Sequence, residues 1–243
     1  MGGGRVADCK SKIKVVADNK KNRLYIKVSG DLDAQSLDKL YTEIRFCVAD
    51  LKNYFNVIED ISQCNIIYLN GLDVYKKIIN YLVSNMVGEI IRVIETNNIS
   101  YKQIVNFTEK IQCYIQMYVT NIDEAEKKLK QAIKRNCIRF KLYGPGVEYM
   151  INSMPGIGYL IDVSTSGCAI KSPTIPVSVG SETIVSITFD NHDTLMSKFN
   201  INARVVRSNN DMFAAHFSNF DDSNKEQLYK RLAYEVGRLT CYS

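Results

Sequence analysis

Apolar positions change period repeatedly through the first half of the chain. Lys12 to Ala17 and Leu24 to Val28 are β-rich runs split by the polar turn Asp18 to Asn22, which predicts a hairpin. Leu37, Leu40, Tyr41, Ile44, Val48 and Leu51 then recur every three or four residues, the spacing of one helical face. Phe55 to Glu59 predicts a short buried strand that gives way to the polar stretch Asp60 to Gln63. Leu72, Tyr75, Ile78, Ile79, Leu82 and Val83 return to helical spacing, and Glu89 to Glu95 returns to strand composition. A helix over Ser100 to Lys110, a strand over Ile115 to Thr120 and a helix over Asp123 to Ile133 complete this half. The last helix is acidic in its first turn and basic at its end, which suits the helix dipole. Strands interleaved with helices predict an α/β layer fold.

Beyond residue 133 the pattern keeps to strand period. Val147 to Ile151, Tyr159 to Val163, Cys168 to Lys171, Thr183 to Phe189, Phe199 to Arg207 and Met212 to Phe217 are short runs rich in Val, Ile, Phe and Thr. Between them stand Pro155-Gly156, Ser166-Gly167, Val179-Gly180, Asn191-His192-Asp193 and Asn209-Asn210, which read as turns. Six such strands predict a small antiparallel β-barrel, because closure removes exposed sheet edges. A final helix starts near Asp221-Asp222-Ser223, with Leu228, Leu232, Val236 and Leu239 as its apolar face. The expected organisation is two domains, 9–133 and 134–243.

Composition narrows the function classes. The chain is 46% hydrophobic and 23% charged over 243 residues, enough to bury a core in each half. No apolar run approaches a membrane span and the first ten residues lack a secretory signal core, so a cytoplasmic protein is expected. Seven scattered cysteines without a CxxC pair predict reduced thiols. With His192 and His216 as the only histidines, neither a zinc site nor a histidine-based triad can be assembled, so no metal and no enzyme activity are expected. The net charge of +5 is spread over both halves except in one place. From Lys127 to Lys141 there are seven basic residues and no acidic one, a run that is either solvated or meets an anion.

That run opens the candidate chemistry. Arg135 and Arg139 stand four residues apart, and 22 residues separate Arg139 from Asp162-Val163-Ser164-Thr165-Ser166-Gly167. Together the two stretches resemble the signatures of PilZ domains, RxxxR followed by [D/N]xSxxG. The resemblance implies a bacterial cyclic di-GMP receptor, with Lys134, Arg135, Arg139, Asp162, Ser164 and Gly167 as ligand residues.

The chemistry of those residue types agrees. A planar guanidinium can bond guanine O6 and N7 or a phosphate in bidentate fashion and can stack on a purine, whereas lysine offers a point charge. An ionised Asp162 accepts from guanine N1 and N2, Ser164 adds a donor or acceptor, and Gly167 is expected to take a positive φ beside the base. The plainer reading stays open: solvated charges at Arg135 and Arg139, a turn-stabilising Asp162 and a hairpin glycine. Lys134, just before the first arginine, implies by the same resemblance an intercalated dimer of the ligand.

In the first half, VIEDISQCNIIYLNGL from Val57 to Leu72 resembles the STAS domains of anti-sigma-factor antagonists, with Asp60, Ser62, Ile67, Gly71 and Leu72 in the frame of D-x-S and I-D-S-S-G-L. The resemblance covers about residues 9–133 and implies a module for an unknown protein partner, and it admits a homodimer. The phosphoacceptor serine of that family is Asn70 here, and an amide cannot accept a phosphoryl group. Ser62 is expected to serve a turn or cap.

The composite expectation is a non-enzymatic receptor in which ligand at the domain junction orders the RxxxR segment and changes domain orientation. Two rivals remain: a STAS-type regulator with a degenerate barrel, and a nucleic-acid binder using 127–141, which the modest total charge disfavours.

Overall fold

A computed structural model describes residues 11–95, 99–111, 114–131, 137–142, 146–191 and 194–241. Contacts divide the chain into two compact units, 1–110 with 116–131 and 111–115 with 132–243.

The first unit is a five-stranded sheet in sequential order: β1 (Lys12–Asp18), β2 (Arg23–Leu32), β3 (Asn56–Ile67), β4 (Ile90–Val93) and β5 (Met117–Val119). Only the β1–β2 hairpin is antiparallel. The parallel pairs need crossovers, which α1 (Ala34–Val48), α2 (Leu72–Ser84) and α3 (Ile99–Ile111) supply, and α4 (Ile122–Gln131) follows the last strand. Asp33 caps α1 by accepting from Ser36 N at 2.8 Å, and Leu37, Leu40, Ile44 and Val48 form its buried stripe. On α4, Ala125 and Leu129 bury against Ile58, Ile91, Val93 and Val119 of the sheet. Arg23 and Tyr25 hold α4 from the sheet side, both donating to the Glu126 carboxylate at 2.5 and 2.6 Å.

Sequence and structure differ in three places here. The helix expected to include Leu51 ends at Val48. The short strand expected to stop at Glu59 runs to Ile67, because β2 is long enough to pair with it as far as Leu32, with register shifts between Lys27 and Ser29 and between Gly30 and Asp31. Asp60 is therefore buried within a strand, where Lys27 reaches it at 3.2 Å. Ser62, expected in a turn or cap, lies in the same strand and donates its hydroxyl to Asp60 at 2.7 Å.

The second unit is a closed barrel of β6 (Gly146–Ile151), β7 (Met154–Ser164), β8 (Gly167–Lys171), β9 (Glu182–Thr188), β10 (Lys198–Ser208) and β11 (Met212–Phe217), in the order β10-β11-β8-β7-β6-β9, followed by α5 (Asp222–Cys241). The predicted six-stranded antiparallel barrel with a C-terminal helix is present. Strand alternation sends Tyr149, Leu160, Ile170, Val185, Ile201 and Phe213 inward, and Leu228, Tyr229 and Leu232 bury one face of α5.

One turn moves. Pro155-Gly156 lies inside β7, and the chain reverses at Asn152-Ser153, whose φ values of 50° and 65° are those of a two-residue hairpin loop. Gly156 serves the interior instead, since a Cβ there would sit 2.4 Å from the Tyr149 ring.

Candidate functional site

The site grows from the end of β7. A register shift between Leu160 and Asp162 against β8 puts Asp162, Val163, Ser164 and Thr165 all in buried positions. What buries them is the segment 137–142, which folds back along β7. Phe140 N donates to Val163 O at 2.8 Å and Val163 N donates to Phe140 O at 3.0 Å. Three residues earlier, Cys137 Sγ accepts from Thr165 N at 3.3 Å and lies 3.1 Å from Thr165 Oγ1. On its other side Ile115 N donates to Arg139 O at 2.8 Å, and the Phe140 ring meets Tyr229 of α5 edge-on with centroids 5.3 Å apart. Position 139 is thereby held from two sides.

This pairing brings Arg139 to Asp162. Nη1 lies 3.7 Å from Oδ2, inside ion-pair range but beyond hydrogen-bond length. The Asp162 side chain is 11% exposed and the Arg139 side chain 29%, and the guanidinium donates no hydrogen bond to any described residue. The arrangement is a carboxylate at the wall with a guanidinium over it whose planar donors are available to an incoming acceptor. Beside them the Cys168 thiol is pushed up to about 12, first by burial and then by the charge of Asp162, so it stays protonated.

Ser164 and Gly167 behave differently from the sequence expectation. The Ser164 hydroxyl is 2% exposed and committed to its own turn, donating to Gly167 O at 3.3 Å and accepting from Ser166 N at 3.2 Å. Gly167 has no positive φ. A Cβ there would lie 2.4 Å from Ala215 O, so the glycine permits close approach of β11, not of a base. Lys134 and Arg135 lie outside the described residues, as does His192, while His216 is exposed on β11. Cys137, Thr165 and Phe140, which hold the site together, went unread as site residues in the sequence; a cysteine and a threonine 28 positions apart give no signal of contact. Among the described residues no cluster of His, Cys, Asp or Glu could hold a metal ion, and no helix is long and apolar enough to cross a membrane.

The family model described as PilZ domain matches residues 133–235. The matched span contains all six barrel strands and most of α5. Both halves of the family's paired signature, Arg135 to Arg139 and Asp162 to Gly167, fall within the matched span. Among solved structures, the PilZ domain of CeSA from a cellulose-synthesizing bacterium is 20% identical, with 41% of this chain and 97% of that chain covered and a TM-score of 0.33. The PilZ domain of YcgR from Escherichia coli, solved with c-di-GMP, is 15% identical over 42% of this chain and 89% of its own, with a TM-score of 0.34. Structures similar to the first half include the anti-sigma factor antagonist SpoIIAA in its unphosphorylated form, 11% identical over 51% of this chain and all of that one, with a TM-score of 0.36. A comparison with curated proteins finds no match.

Proposed function

We propose that the protein is a non-enzymatic, cytoplasmic receptor for cyclic di-GMP, with Arg135, Arg139 and Asp162 as the ligand contacts. The observation that carries this reading is the Arg139 guanidinium 3.7 Å from Asp162 with its donors unspent, within the span that matches PilZ. The ligand's two phosphodiesters and its guanine edges require such a set: bidentate cations for O6, N7 and phosphate oxygen, and an anion for N1 and N2. Ser164 and Gly167 act by shaping the hairpin that presents Asp162. Lys134 adds a cation suited to a second, intercalated ligand molecule, giving two ligands per chain.

Arg135 and Arg139 belong to the stretch of chain that leads from α4 into the barrel, so ligand binding reorients the first unit and changes what it offers a protein partner. The exposed Tyr68 and Leu69, 46% and 82% exposed at the entry to α2, are an apolar surface suited to that partner. Isothermal titration with cyclic di-GMP tests the binding: saturable, guanine-specific heat in the native protein, lost in Arg135→Ala and Asp162→Ala, is expected. Binding of any polyanion with a steep salt dependence would overturn it in favour of a nucleic-acid binder. Solution scattering that is identical with and without ligand would overturn the reorientation alone.

A further inference from the structure

The outer wall of the barrel is apolar where a solvated strand would be polar. Outward positions of β6, β7 and β9 carry Met150, Ile157, Tyr159 and Ile184, which are 46%, 55%, 49% and 43% exposed. Strand register makes them neighbours. Met150 faces Ile184 of β9 and Pro155 of β7, while Ile157 and Tyr159 stand two residues apart on the same face of β7. The result is one patch across three adjacent strands, and contiguous exposed apolar surface of this kind marks an interaction site.

Its charges say what covers it. Glu148 lies within the patch, across from Ile157, and Lys171 of β8 borders it, across from Tyr159. Both are exposed, and neither has an ion pair among the described residues. The anion and the cation thus sit on opposite sides of the Ile157 and Tyr159 ridge.

We propose that this wall docks a second copy of the chain. A two-fold axis lying between stacked sheets about 10 Å apart sets Glu148 of each copy against Lys171 of the other, with the ridge at the centre. A partner of one charge sign would leave either Glu148 or Lys171 unmatched, whereas a second copy answers both. The proposal names the face of a homodimer and does not depend on the ligand reading.

Sedimentation equilibrium of the full chain tests it, with circular dichroism to verify folding of each variant. A dimer of the 27.6 kDa chain is expected. Ile157→Lys should weaken it at least about tenfold, as truncating a central anchor does. Glu148→Lys and Lys171→Glu should each weaken it, and the double reversal should restore it. A monomer at every concentration, or a dimer insensitive to Ile157→Lys, or a double reversal no tighter than the single ones, overturns the proposal.

Discussion

Arg139 and Asp162 are 23 positions apart in sequence yet 3.7 Å apart in space, joined by the exchange of backbone hydrogen bonds between Phe140 and Val163. Asp162 comes from a barrel strand and Arg139 from the segment laid beside it. The pair stands on that pairing together with the bond from Ile115 N to Arg139 O.

Replacing Arg139 by Lys keeps the charge and removes the planar fork. Cyclic di-GMP affinity should fall by on the order of 1 to 3 kcal/mol, as for loss of one bidentate contact, with the melting temperature nearly unchanged because the side chain is partly exposed. Calorimetric titration alongside thermal melts checks both halves of this expectation.

Gly167→Ala should destabilise the barrel without touching a ligand contact directly. The new methyl meets a backbone carbonyl at 2.4 Å, and neither β8 nor β11 can move without breaking the ladder between them. A loss of roughly 1 to 3 kcal/mol is expected from overpacking of this kind. Gly180→Ala, in open space at a φ of 90°, pays only backbone strain and serves as the comparison in denaturant titrations.

In the first unit, Arg92 is 1% exposed and its Nε lies 2.6 Å from the Glu59 carboxylate, to which Tyr75 also donates at 3.3 Å. Glu59→Ala removes the carboxylate that faces a guanidinium buried within the sheet. A destabilisation of about 3 to 5 kcal/mol should follow, and replacing both residues by apolar ones should cost far less. Chemical denaturation of the single and double variants reads the difference.

Acid should loosen α4 through Glu126. Burial favours its neutral form, but hydrogen bonds from Arg23 and Tyr25 outweigh this and hold the carboxyl at about 2 rather than 4.5. The folded state therefore binds the proton less readily than the unfolded one. The stabilisation is complete above pH 4.5 and is lost as pH falls toward 2. Glu126→Gln should lower stability at neutral pH and flatten its pH dependence below 4.5, measured by urea midpoints across that range.

Periodicity was enough for the two architectures. A stripe such as Leu37, Leu40 and Ile44 has the spacing of a helix face, and short runs such as Met212 to Phe217, bounded by turn residues, have the length of strands. It failed where backbone pairing overrides local composition. Asp60 to Gln63 looks like a loop until β2 extends beside it, and Pro155-Gly156 looks like a turn until the Tyr149 ring needs the space.

The site divides in the same way. The residue types at Arg139 and Asp162 and the spacing between their motifs were readable along the chain, since the chemistry of guanidinium and carboxylate does not depend on the fold. Which atoms they face did not follow from it. Ser164 was expected to add a donor or acceptor for the ligand, and its hydroxyl is committed to the hairpin; Gly167 was expected at a positive φ, and the approach of β11 gave it a different task. Side-chain chemistry is written residue by residue, whereas direction, burial and neighbours are set by contacts between strands distant in sequence, and only the closed barrel supplies those.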